Sequence, residues 1–186
     1  SSLAAFEKYQ MNEAWVWEHQ ALVRARVVAG STELGKRFNA VRACVLTQPR
    51  ELKPLAVEVI SMREKMREHL GSKPSSSDSD EGVFHLKQDA GGIVDIEFMV
   101  QYGVLAYVAK YPELLTYTDN IRILEGFESL GVLSAAQACG LRESYQAMRA
   151  VEHRLTLQNQ VGEVSTDDLR EQRQQVTAIW SSMMGV

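Results

Sequence analysis

ELKPLAVEVISMREKMREHLG, residues 51–71, decides the fold class. Its apolar residues Leu52, Leu55, Val59, Met62, Met66 and Leu70 recur at steps of three and four, the spacing that puts all six on one stripe of an α-helix. Gly71 supplies a C-terminal stop, and Pro54 falls in the first turn, where a missing N–H has no intrahelical partner to lose. The same period governs the rest of the chain, and no strand or hairpin signal competes with it. Upstream, residues 2–29 and then Thr32–Leu46 behind a Ser31 cap predict two or three helices before Pro49. Downstream, helices are expected over about 92–110, over Asn120–Ser129 behind Asp119, and over about 134–159, with Leu141, Tyr145, Met148, Val151 and Leu155 on its buried face. Thr166 followed by Asp167 and Asp168 predicts the start of a last helix, whose apolar side carries Leu169, Val176, Trp180 and Met183. No fixed-period repeat is present, which argues against a solenoid. The expectation is an all-α fold, an irregular bundle of about six to eight helices in a single domain spanning residues 1–186.

Composition narrows the function classes. The chain has 186 residues, 45% hydrophobic and 24% charged, enough apolar material to close a core. Its formal net charge of -4 lacks the basic footprint of a nucleic-acid binder. The most apolar stretch, residues 93–109, is broken by Asp95, Glu97 and Gln101 and falls short of the roughly 20 apolar residues a membrane span needs. It reads as a buried helix of a soluble protein. Cys44 and Cys139 stand far apart, and no signal-peptide pattern opens the chain, so a reducing cytoplasm is expected.

Several candidate sites dissolve on inspection. The run 71–82, GSKPSSSDSDEG, imitates the Gly-Ser turn and paired aspartates of a metal-binding nucleotidyltransferase strand. Yet Asp78 and Asp80 are flanked by Ser77, Ser79 and Glu81 instead of the apolar residues that would fix them for Mg²⁺, so a mobile, solvated loop is expected. His19, His69, His85 and His153 include no i, i+4 pair, and the two cysteines lack metal-ligand spacing. No catalytic or metal-ligating residue is assigned.

The stretch that carries chemistry is residues 84–102, FHLKQDAGGIVDIEFMVQY. Lys87 precedes the pair Gly91-Gly92, which permits close backbone approach and opens a helix whose N-terminus favours anions. Asp95 falls in the first turn, and Glu97 and Gln101 share a face four residues apart. Polar groups on a mostly buried helix require partners, either within the domain or across an interface.

Four segments together resemble one family: EAWVWEHQAL at 13–22 continuing as RARVVAG at 24–30, Lys87 with GGIVDIEF at 91–98 and Gln101, and DNIRIL at 119–124. The chain resembles, over nearly its whole length, the bacterial glutamine synthetase adenylyltransferases. In that family each half is a nucleotidyltransferase palm followed by a helical domain. One half attaches AMP from ATP to a tyrosine of glutamine synthetase, and the other removes it. The resemblance implies the helical domain of the C-terminal, adenylylating half, since the deadenylylating half usually has Arg where this chain has Val94. A similar Lys, Gly-Gly, Asp pattern occurs in the uridylyltransferases that modify PII signal proteins.

No counterpart of the palm is recognisable, so ATP and Mg²⁺ are implied for the parent enzyme and no cofactor for this chain, which is expected to be silent alone. Two expectations follow from the resemblance. In the first, Lys87, Gly91, Gly92 and Asp95 face the nucleotide cleft or form its supporting shell, with the upstream palm of the same polypeptide as a partner. In the second, the domain is a module that receives glutamine synthetase, a PII-type protein or glutamine. An open Lys87 and Gly-Gly turn favour the first; a sealed one favours the second.

Overall fold

The computed structural model describes residues 2–72 and 82–185. Among these, eight α-helices follow in order: α1 (Leu3–Asn12), α2 (Val16–Arg24), α3 (Thr32–Leu46), α4 (Leu52–Leu70), α5 (Ile93–Tyr107), α6 (Asn120–Ser129), α7 (Ala135–Leu157) and α8 (Arg170–Met184). The expected all-α architecture is present. Three of the helix starts are fixed by the caps the sequence advertises. Ser31 Oγ accepts from Leu34 N–H at 3.4 Å, Asp119 Oδ1 from Arg122 N–H at 3.0 Å, and Ser134 Oγ from Gln137 N–H at 3.2 Å. Each satisfies an N–H that the first helical turn leaves without a partner.

Two features differ from expectation. A short antiparallel ladder joins β1 (Val83–His85) to β2 (Glu163–Ser165), pairing Phe84 with Val164. Three-residue strands lie below the length at which alternation is legible. The last helix begins at Arg170, not at Thr166. Thr166 N–H donates to Gly82 O at 2.9 Å, extending the strand pairing, and Leu169 takes a left-handed φ of 56° as the N-cap with no side-chain bond. This long-range strand pairing holds Thr166 out of the helix its sequence would start.

The chain divides into two compact units, and it crosses from one to the other within α4 and within α5. Unit 1 comprises Ser1–Val59 and Val100–Val132. Here α1 and α2 pack on α3, and buried Leu22, Val23, Val41, Val45 and Leu46 form much of the interior. The buried Arg42 closes the end of α2, its Nε donating to Leu22 O at 3.0 Å and Nη2 to Val23 O at 2.6 Å. A guanidinium there meets the partial negative charge of a helix C-terminus. Burial lowers the pKa of Arg42 from its ordinary value.

Unit 2 comprises Ile60–Met99 and Leu133–Val186. α7 packs on α8, burying Ala138, Leu141 and Met148 of the first helix and Val176, Ile179 and Met184 of the second. At Gly140 the end of the Gln175 side chain occupies the space of a Cβ, its Nε2 lying 2.0 Å from where that carbon would stand. Tyr145, Val151 and Leu155, expected inside, are half-buried. Of the run 71–82, only residues 71, 72 and 82 belong to the described residues; the expected mobility of that loop and the pair Asp78 and Asp80 lie outside them.

Candidate functional site

The segment between β1 and α5 is a tight turn in unit 2 that carries Lys87, Gly91 and Gly92, and Asp95 follows in the first turn of α5. Ile93 N–H donates to Leu86 O at 2.8 Å, Val94 N–H to Lys87 O at 3.2 Å and Gly92 N–H to Asp89 O at 2.9 Å. This folding back leaves no room for side chains. A Cβ on Gly92 would lie 2.6 Å from Leu86 O, and one on Gly91, whose φ is +81°, would lie 2.6 Å from Arg173 O. Both glycines are buried. The pair is therefore required by backbone packing, whatever else it does.

Asp95 is 2% exposed and spends its carboxylate internally. Arg63 Nε donates to Oδ1 at 2.6 Å, Arg67 Nη2 to the same oxygen at 3.2 Å, and Gly91 N–H to Oδ2 at 2.7 Å. Arg63 also donates through Nη2 to Gln88 O at 2.7 Å. One aspartate and one arginine thereby pin the turn to α4 at two points. Burial lowers the Arg63 pKa from its ordinary value, with Asp95 pulling the other way and the neighbouring Arg67 adding to the lowering.

Asp89 is a second internal anchor. Its carboxylate accepts from Ser72 N–H at 2.8 Å, Ser72 Oγ at 2.6 Å and His85 N–H at 2.8 Å. Burial acts to raise its pKa, but the hydrogen bonds from Ser72 and His85 outweigh it and hold Asp89 below the usual carboxylate value. Lys87 alone of the four candidate residues reaches solvent. Its side chain is 47% exposed, and Nζ lies 2.6 Å from Glu152 Oε1 on α7. The other oxygen of Glu152 is held by Arg149.

The polar stripe of α5 thus finds partners inside the protein. Besides Asp95, Gln101 Oε1 accepts from Gln20 Nε2 at 2.9 Å, and Tyr145 OH donates to Glu97 Oε1 at 3.4 Å. The structure separates what the sequence grouped: Asp95, Gly91 and Gly92 are sealed inside, and Lys87 is open. Arg63, Asp89 and Glu152 were not signalled as members of the site. Arg63 did leave a trace, since it lies four residues after Val59 on the buried stripe of α4, where a charge demands a partner.

Among the described residues, no three His, Cys, Asp or Glu side chains come together in a group able to hold a metal ion. No described helix is long and apolar enough to cross a membrane.

Comparison with known proteins finds two family models. Residues 1–41 match the one described as Glutamate-ammonia ligase adenylyltransferase, and residues 61–185 match the one described as GlnD PII-uridylyltransferase. The chain is 52% identical, over 98% of its length, to a bifunctional glutamine synthetase adenylyltransferase/adenylyl-removing enzyme of Pseudomonas syringae pv. tomato, covering 19% of that protein. It is 50% identical to the enzyme of the same name in Pseudomonas aeruginosa, with the same coverage of both. The enzyme so named in Acinetobacter baylyi is 48% identical over 99% of this chain and 20% of its own length. The chain spans about a fifth of the length of these curated relatives.

Proposed function

Because the chain belongs to the glutamate-ammonia ligase adenylyltransferase family and, over residues 61–185, to the GlnD PII-uridylyltransferase family, we propose that it is the helical accessory domain of a nucleotidyltransferase. The parent enzyme, acting in the cytoplasm, transfers AMP from ATP to a tyrosine of glutamine synthetase in the regulation of nitrogen metabolism. The observation that carries this reading is identity of about half over 98% of the chain to enzymes whose name states that activity. The form GGIVDIEF with Val94, joined to DNIRIL, supports placement in the C-terminal, adenylylating half.

The described residues do not fit Mg²⁺, as they bring no three suitable ligands together. In this reading ATP and Mg²⁺ belong with the palm, and the chain supplies a wall beside it. Asp95 acts through the turn: it holds Gly91 N–H and Arg63, so that Leu86–Gly92 presents one fixed backbone shape. Lys87 places an ammonium at the solvent edge of that shape, oriented by Glu152. A positive charge there favours the phosphates of a nucleotide at the edge of the cleft. Gly91, Gly92 and Asp95 are then the supporting shell, and Lys87 the group that faces outward.

A groove in unit 1 supports the palm as a partner. It measures about 520 Å³ and is lined by Leu3, Phe6, Val27, Val28, Leu34 and Phe38, with Val28 82% exposed. These residues fall within the segment matched by the adenylyltransferase model, and relatives five times longer have further chain to cover them. Contiguous exposed apolar surface of this kind marks an interaction site.

The second reading, a regulatory module for glutamine synthetase, a PII-type protein or glutamine, is favoured by the internal partners of Asp95, Glu97 and Gln101. One experiment separates the two. The chain replaces its counterpart in the Pseudomonas aeruginosa enzyme, and transfer of labelled AMP to glutamine synthetase is measured with and without Lys87→Ala. Reduced transfer on Lys87→Ala, with the residual rate still responding to glutamine and PII as in the unsubstituted chimera, supports the first reading; wild-type transfer with an altered response supports the second. A chimera that folds and transfers no AMP overturns the family-based reading itself.

A further inference from the structure

The exposed apolar groove of unit 1 is one half of a longer face. A second hollow of about 390 Å³ adjoins it, lined by Trp17, Ala21, Leu22 and Ala25. Phe6 and Phe38 line both hollows, and their rings stack with centroids 6.1 Å apart, so one aromatic ridge stands between the two. Val28 and Leu34 on the first side and Trp17 on the second are exposed.

Charge on this face is unbalanced. Residues 24–38 carry Arg24, Arg26, Lys36 and Arg37 against Glu33 alone, in a chain whose formal net charge is -4. Arg24 is turned inward, its Nη1 donating to Asn120 Oδ1 at 2.7 Å. Arg26 lines the first hollow and is the only charged residue there. Arg37 follows Leu34 by three residues on α3, the spacing of neighbours on a helix surface. Both arginines are exposed, and neither has a hydrogen bond or ion pair with a described residue. The two hydroxyls of the first hollow are already used: Ser2 Oγ accepts from Ala5 N–H at 3.2 Å, and Ser31 Oγ from Leu34 N–H. In the second hollow the Glu18 carboxylate is occupied, accepting from Tyr9 OH and from Trp15 N–H, each at 2.9 Å. What the face offers a partner is therefore apolar surface flanked by guanidinium groups that lack a counter-charge.

We propose that this face is a docking site for an acidic amphipathic helix belonging to the parent polypeptide outside this chain. Its apolar residues seat on either side of the Phe6–Phe38 ridge, and its carboxylates lie against Arg26 and Arg37. A helix suits the face, because residues at i, i+3 or i+4, and i+7 form a row of knobs for such hollows. A strand does not: it takes its affinity from a free sheet edge, and the floor here is built from α1, α2 and α3, whose backbone groups are bonded within each helix. The source of the occupant rests on the proposed function, since this chain is about a fifth of its relatives' length. The chemistry of the occupant rests on the face alone.

The test places a photoreactive benzoylphenylalanine in the chimeric Pseudomonas aeruginosa enzyme at position 28, at position 21 or, as an exposed control elsewhere in unit 1, at position 57. Irradiation should join positions 28 and 21 to one peptide of the same polypeptide outside the 186 residues, apolar at i, i+3 or i+4, and i+7 and flanked by Asp or Glu. Position 57 should not join to it. That peptide, synthesised alone, should bind the 186-residue chain and perturb Trp17 fluorescence. Arg26→Glu and Arg37→Glu should each weaken this binding about tenfold with the melting temperature unchanged. Cross-links to a second copy, to glutamine synthetase or to a segment without that pattern overturn the proposal. So do a folded chimera that gives no cross-link and peptide binding that both arginine variants leave unchanged. AMP transfer by the unsubstituted chimera reports the family-based reading separately: transfer without the cross-link sinks the docking alone, and the cross-link without transfer sinks that reading alone.

Discussion

Arg63 Nε lies 2.6 Å from Asp95 Oδ1, and neither side chain is more than 3% exposed. The pair joins the middle of α4 to the first turn of α5, and Gly91 N–H completes the coordination of the carboxylate. Its removal therefore strikes a buried charge as well as a contact.

Asp95→Ala should destabilise unit 2 by about 3–5 kcal/mol, because it leaves the Arg63 guanidinium buried without its counter-ion. The double variant Arg63→Met, Asp95→Leu should recover much of that loss, since it removes both charges together. Urea unfolding of the three chains checks this; a double variant as unstable as Asp95→Ala would refute the pairing as the source.

Gly91→Ala should lower stability by more than about 1 kcal/mol, as it combines a positive φ with a Cβ 2.6 Å from the Arg173 carbonyl oxygen. Gly131→Ala provides the comparison, because its φ of +68° is similar but nothing lies within 4 Å of the added carbon. The difference between the two melting temperatures isolates the steric part.

Lys87→Ala should change the stability of the chain by less than about 1 kcal/mol, since the lysine is half-exposed and Glu152 keeps Arg149. In the chimeric parent enzyme it should reduce AMP transfer. Thermal unfolding and transfer assays on the same variant test both halves.

Asp89 gives the pH dependence a direction. Its pKa is depressed in the folded state despite burial, so the stability it contributes is present above the unfolded value, about 3.9, and is lost as pH falls through the lower folded value. Asp89→Asn should be less stable than the parent chain at pH 7, and the gap should narrow below about pH 4. Urea midpoints measured from pH 7 to 3 report the gap, and one that widens on acidification would reverse the sign.

What the sequence determined by itself is local. The bonds of Ser31, Asp119 and Ser134 to N–H groups three residues ahead need no other part of the chain, and the apolar stripe of α4 follows from spacing alone. The need for backbone room at Gly91-Gly92 was legible for the same reason. Tertiary structure decided the rest, because its partners are distant: Arg63 and Asp95 are 32 residues apart, and Gln20 and Gln101 are 81 apart. Pairing of Phe84 with Val164 drew Thr166 into the ladder and moved the start of α8 to Arg170. A cap residue competes with whatever else its backbone can bond, and only the folded chain shows which bond wins.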